Sequence, residues 1–179
     1  MPRERKSRIF VGDFETTVFD GQEFTEVWAS ALVELGSEDV HIHHSIEEQW
    51  KEIKSFNTNC IIYYHNLKFD GEFWLNYFLN VLELKQAYHV INKEEEKYEW
   101  MNDKEMPNGS IRYSISAMGQ WYSIKVKYRN KIIEFRDSLK LLPFSVKRIG
   151  DSFQTKHRKL EMEYTGFRYA GCEITDEEK

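Results

Sequence analysis

Cysteine, proline and long apolar runs are all scarce in this chain of 179 residues. Its two cysteines, Cys60 and Cys172, are too few for a disulfide framework, and no secretory leader pattern accompanies them. A reducing, cytoplasmic setting is the expectation. No window approaches the ~18 apolar residues of a membrane span, and Met1 to Lys6 run straight into a strand-like segment, so neither membrane insertion nor targeting is expected. Three prolines and nine glycines go with the absence of low-complexity tracts and internal repeats, and no composition shift marks a domain boundary.

Large side chains are abundant instead. Five Trp, ten Tyr and twelve Phe exclude disorder as the main reading and supply a sizeable core for one compact domain. The net charge of −5 excludes a wholly basic coat for nucleic acid but hides an asymmetry. Residues 1–120 hold 12 basic and 21 acidic side chains, 121–160 hold 11 and 3, and 161–179 hold 2 and 6. The basic stretch interleaves Trp121, Tyr122, Tyr128, Phe144 and Phe153. Such a pattern fits a surface that meets a polyanion, or a solvated face of strands and a helix.

Periodicity predicts a strand at Arg8–Val11 ending at Gly12-Asp13, then strands at Val27–Val33 and Val40–His44 joined around Gly36-Ser37. Ser45-Ile46-Glu47-Glu48 is a capping box that opens a helix to about Phe56, and Cys60–Tyr64 is a short apolar strand. A buried helix is predicted from Glu72 to Leu79. The charge run Glu94-Glu95-Glu96-Lys97 and the Pro107-Asn108-Gly109 turn make 93–109 an expected exposed loop. Strands follow at Tyr113–Ser116, Tyr122–Tyr128 and Lys131–Phe135, the last two joined by Arg129-Asn130. The order implies an α/β fold around a sheet of mixed direction.

Asp13 and Glu15 stand two apart, so period two puts both carboxylates on one side of a strand. A divalent cation between them would relieve their repulsion. His65 to Gly71 leave a strand and enter a helix, where Asp70 offers either a hard-cation ligand or an N-cap, His65 and Asn66 offer hydrogen bonds to sugar or phosphate, and Phe69 offers a stacking surface. His41, His43 and His44 have no evident acidic or Cys partner in sequence and read as exposed strand residues.

Taken jointly, Asp13-Phe14-Glu15-Thr16-Thr17 and Tyr64-His65-Asn66-Leu67-Lys68-Phe69-Asp70-Gly71 resemble the first two exonuclease motifs of family B DNA polymerases, in particular the protein-primed branch of phages and linear plasmids. The resemblance extends to Met118–Tyr122 and Asp137–Phe144. It implies a ribonuclease-H-like (DEDD exonuclease) fold, an α/β architecture with a mixed central sheet flanked by helices, forming one 3′–5′ exonuclease domain over 1–179 ahead of a polymerising domain. It further implies that Asp13, Glu15 and Asp70 bind two divalent metals, Mg²⁺ or Mn²⁺. Thr16, His65, Asn66, Phe69, Ser138 and Leu139 are implied to hold a single-stranded 3′ end. Lys159 and Tyr164 look similar to an auxiliary lysine and tyrosine near the scissile phosphate, although Leu160 stands where the family has Gly.

Thr175-Asp176-Glu177-Glu178 is a second capping box. In the family the helix there carries a third motif, a Tyr and an Asp four residues apart, and neither follows in this sequence. The expectation is a truncated proofreading domain of impaired activity, monomeric, in a bacterial or phage-infected cytoplasm, with a terminal protein as a partner of the full polymerase. The competing expectation is a non-catalytic ribonuclease-H-like module that binds single-stranded nucleic acid or a protein.

Overall fold

The computed structural model describes residues 7–156, 168–176 and 178. Ten strands are present among them: β1 (Arg8–Thr16), β2 (Val27–Glu34), β3 (Val40–His43), β4 (Cys60–Tyr64), β5 (Lys85–Gln86), β6 (Tyr88–Asn92), β7 (Lys97–Trp100), β8 (Ser110–Ile115), β9 (Trp121–Tyr128) and β10 (Lys131–Asp137). Helices α1 (Ile46–Ile53), α2 (Leu67–Asn76), which runs on into a π-helical turn at Tyr77–Val81, and α3 (Val146–Phe153) complete the frame. Eight strands form one sheet in the order β3-β2-β1-β4-β10-β9-β8-β5, and β6 and β7 pair separately. β1, β4 and β10 run parallel while the hairpins on either side are antiparallel, so the sheet is mixed as the sequence implied.

Much of the aromatic wealth goes into the main core, with Trp28 in a smaller cluster beside Cys172 and Ile174. Phe10 and Phe14 turn inward from β1, in alternation with Val11 and Asp13, and join Tyr64 of β4 and Phe135 of β10. Trp74 and Phe78 stack with ring centroids 5.2 Å apart, Trp74 lies 4.7 Å from Phe135, and Trp50 of α1 meets Phe78 at 4.9 Å. Offset and edge contacts of this kind add to the area that each ring buries. Both cysteines are free and buried. Burial pushes the Cys60 thiol up to about 12, which leaves it an inert packing group.

Several boundaries move for physical reasons. β1 continues past the expected stop at Gly12-Asp13 because β2 pairs with it from Phe10↔Glu34 to Thr16↔Val27. α2 starts at Leu67 rather than Glu72, since a carboxylate from another strand caps it, as described below. The segment 93–109, expected as an exposed loop, contains β7. There the alternation Tyr98-Glu99-Trp100 pairs with β6, and Met106 is buried, so the charge run marks only the turn of a hairpin. The Arg129-Asn130 turn has positive φ at both residues, 48° and 61°, as the tight hairpin requires.

The histidine cluster also departs from its reading as exposed strand residues. Glu52 of α1 accepts from both rings, His41 Nδ1 and His43 Nε2 each lying 2.6 Å from one of its oxygens, and His43 is buried. The partner lies on the neighbouring helix, which no local pattern announces. Replacing Glu52 by Ala strands His43 without its partner in the interior, and the expected cost is about 1–3 kcal/mol. A urea titration should show a lower midpoint at unchanged slope; an unchanged midpoint would show that the clamp contributes nothing.

Candidate functional site

Because β1, β4 and β10 are adjacent and parallel, their carboxyl ends gather at one rim of the sheet, the position where open α/β sheets place their sites. Asp13, Glu15 and Thr16 arrive there on β1, His65 and Asn66 follow β4, Phe69 and Asp70 lie in the first turn of α2, and Ser138 and Leu139 follow β10. Nine residues singled out in the sequence therefore converge on one rim. Lys159 and Tyr164 lie outside the described residues.

Asp70 is the chemically informative member. It is 3% exposed, and the backbone N–H of Phe14 donates to its carboxylate. Burial, followed by the nearby charge of Asp13 and then of Glu15, pushes its carboxyl up to about 7. The first-turn Asp is thus inside the fold and accepts backbone N–H bonds, but the N-cap position itself belongs to Asn66. Asp13 and Glu15 point away from the core face of β1, as period two required. Among the described residues, no three acidic, His or Cys side chains close on a point that could hold one ion. The carboxylates share a field without forming a finished ligand cage. A field of that sign suits a hard divalent cation, so the residues fit the group that the resemblance implies.

The start of α2 is held from outside. Asn66 is its N-cap in the left-handed region, φ 68°, a conformation Asn tolerates, and its side chain makes no cap bond. Asp137 Oδ1 accepts instead from the backbone N–H groups of Asn66 at 3.2 Å, Leu67 at 3.3 Å and Leu139 at 2.9 Å. One carboxylate oxygen thereby fastens α2 and the 3-10 turn at Ser138–Lys140, and the Asn66 amide is left facing outward. Nothing in the sequence around Asp137 signals this role. His65 bonds Ser138 Oγ through Nδ1 at 3.1 Å and the Phe144 carbonyl through Nε2 at 2.8 Å, so Nε2 carries the proton and the ring pins the 138–144 segment. Phe69 stays 48% exposed, edge to face with Phe73 at 5.6 Å.

Two glycines let rings approach the rim. A Cβ on Gly71 would stand 2.8 Å from Trp121, and one on Gly12 would stand 2.6 Å from Tyr64. Of the basic stretch, Lys125 pairs with Asp103 at 3.1 Å and Arg136 with Glu134 at 2.8 Å, and Lys131 is buried against the Phe56 carbonyl. The stretch is therefore not one polyanion face. Its members near the rim are Lys140, over the Tyr122 ring at 5.5 Å, and Arg148, over Phe144 at 4.6 Å.

A mixed sheet of this order, with two helices on its aromatic face and carboxylates at the rim, is a ribonuclease-H-like fold. Residues 52–178 match the family of DNA polymerase type B, organellar and viral, and the chain belongs to that family. It is 35% identical to the DNA polymerase of Bacillus phage B103 over 99% of this chain and 28% of that protein. It is 32% identical to the DNA polymerase of Streptococcus phage Cp-1 over 81% of this chain and 23% of that one. The solved phi29 DNA polymerase complexed with single-stranded DNA superposes with TM-score 0.75 at 27% identity, covering 97% of this chain and 28% of that chain. The chain thus spans less than a third of the length of the polymerases it matches. No helix among the described residues is long and apolar enough to cross a membrane.

With the Asp70 carboxyl pushed up to about 7, the fold binds a proton that the unfolded chain releases, and its stability falls as pH rises from about 4 to 7. In EDTA, Asp70→Asn should therefore stabilise the protein at pH 8 by roughly 1–4 kcal/mol and by little at pH 4, read as the difference in thermal midpoints. Equal effects at the two pH values would remove the buried charge from the account. Asp137 separates in the same assay. Asp137→Asn keeps the accepting oxygen and should be nearly neutral, whereas Asp137→Ala orphans buried N–H groups and should cost about 2–4 kcal/mol.

Proposed function

We propose that this chain is the 3′–5′ exonuclease region of a type B DNA polymerase, removing the terminal nucleotide of a single-stranded 3′ end by metal-dependent hydrolysis. The observation that carries the reading is the convergence of Asp13, Glu15 and Asp70, with the Asp70 carboxyl pushed up to about 7 by burial first and by the charges of Asp13 and Glu15 after it. Such a field is costly without a cation and becomes favourable with one. The match to a phi29 polymerase solved with single-stranded DNA supports the choice of strand.

In this reading Asp13, Glu15 and Asp70 hold the ions, which when bound supply an activated water and charge relief at the phosphodiester. The chain's own groups do the positioning. Phe69 stacks on a terminal base, the outward amide of Asn66 offers paired donors and an acceptor to the sugar, and Thr16 lies beside them at the end of β1. His65 holds the 138–144 segment, which presents Ser138 and Leu139 to the strand. In the full polymerase the terminal protein is a further partner. One observation favours the second reading, a strand-binding module without catalysis: no three groups among the described residues close on one ion.

Release of 3′-labelled nucleotide from single-stranded DNA in Mn²⁺ tests the proposal against an Asp13→Ala/Glu15→Ala control. Release by the parent chain and background in the control is the expected outcome. Silence in both with oligonucleotide binding intact would transfer the assignment to the strand-binding module. Binding should also weaken steeply with salt, as phosphate contacts release counterions.

A further inference from the structure

The β6–β7 hairpin has no part in the site, yet Tyr88, Tyr98 and Trp100 are all exposed on it. Its register sets Tyr88 opposite Trp100 and Val90 opposite Tyr98, which places all four on one face, while His89 and Glu99 pair on the other. These four are 38%, 37%, 50% and 52% exposed in the order Tyr88, Trp100, Val90, Tyr98. They are also ordered against one another: Tyr88 meets Tyr98 at 4.9 Å, and Trp100 meets Tyr113 of β8 at 5.0 Å. The root is fixed, because Ala87 N–H donates to the Ile111 carbonyl at 2.8 Å and Met101 N–H to the Ala87 carbonyl at 3.0 Å.

A two-stranded ribbon is marginal alone in water, and a ladder of half-exposed rings on it marks an interaction surface. Charge decides the occupant. Between Tyr88 and Trp100 stand Glu94, Glu95, Glu96 and Glu99 against Lys93 and Lys97, with Glu99 set against His89 on the opposite face; Asp103, beyond β7, is spent on Arg112 and Lys125, so the acidic excess lies in the hairpin's own turn. Phosphates are repelled there, and a second copy of this chain would bring the same sign. Guanidinium and ammonium groups are suited twice, by the ring faces and by the carboxylates.

We propose that the aromatic face of the β6–β7 hairpin docks a positively charged protein segment, one that presents Arg or Lys side chains to Tyr88, Tyr98 and Trp100 within the acidic rim. This inference does not rest on the exonuclease reading. Anisotropy of fluorescein-labelled octaarginine with the 179-residue chain tests it. Tyr98→Ser/Trp100→Ser leaves the charge unchanged and should weaken binding at least tenfold, and Glu94→Gln/Glu95→Gln/Glu96→Gln leaves the rings unchanged and should do the same. In both variants nucleotide release and oligo-dT binding should match the parent. A direct readout guards against misfolding: octaarginine added to the parent chain should shift the Trp100 indole N–H resonance. Indifference of the peptide to the ring variant, or an unmoved Trp100 resonance, would reduce the effect to adsorption on an acidic protein and overturn the proposal. A loss of oligo-dT affinity in the ring variant would overturn it in favour of nucleic acid. A loss of self-association in that variant would overturn it in favour of a second copy.

Discussion

The carboxylate of Asp137 is the joint on which the rim depends. The first turn of α2 and the 3-10 turn both start there with backbone N–H groups that need an acceptor, and that of Leu67 is buried. A single oxygen accepts from Asn66, Leu67 and Leu139 and satisfies them together. The consequence is larger than the bonds themselves. A helix usually spends its N-cap side chain on its own first turn, whereas here the cap comes from the next strand and the Asn66 side chain is released. The residue best placed to touch a ligand is available because a distant residue has taken over its structural duty.

A second cost is accepted at the same rim. Asp70 is carried into the interior on α2 and placed near Asp13 and Glu15, so one of three like charges is driven toward neutrality. Packing does not require this, because an Asn would meet the same backbone donor without the repulsion. A fold that keeps such a group holds destabilising charge at the point where a cation would reverse its sign, and it recovers the loss through the aromatic core beneath, Trp74, Phe78 and Phe135.

Local pattern carried much of this into view. Asp13 and Glu15 share a face because β1 is a strand, and Ser45 caps α1 as its capping box implied, with Glu48 N–H bonded to Ser45 Oγ. Asp137 and Glu52 were illegible for one reason: each acts on residues far away in sequence, 71 positions from Asn66 for the first and 11 from His41 for the second. The depth of Asp70 likewise follows from the parallel pairing of β4 with β1 and β10, a long-range fact. The basic stretch misled in a different way. Composition counts charges but not their partners, and Asp103, from the acidic part of the chain, neutralises Lys125 and Arg112.

That neutralisation explains how one chain can present surfaces of opposite sign without a second domain. The Asp103 loop takes Lys125 of β9 into an ion pair and Lys127 onto its backbone carbonyls, so that Lys140 and Arg148 remain as the cations beside Tyr122 and Phe144. The same loop follows directly on β7, so Arg112 and Lys125 are gathered against Asp103 while Glu94, Glu95 and Glu96 stand apart at the hairpin's turn. An anionic strand approaching the molecule meets Lys140 and Arg148 beside the carboxylates of the rim, and repulsion at the turn of the hairpin. The split of the basic segment, which composition alone left open between a polyanion face and a solvated one, is what separates the charge of the rim from that of the hairpin.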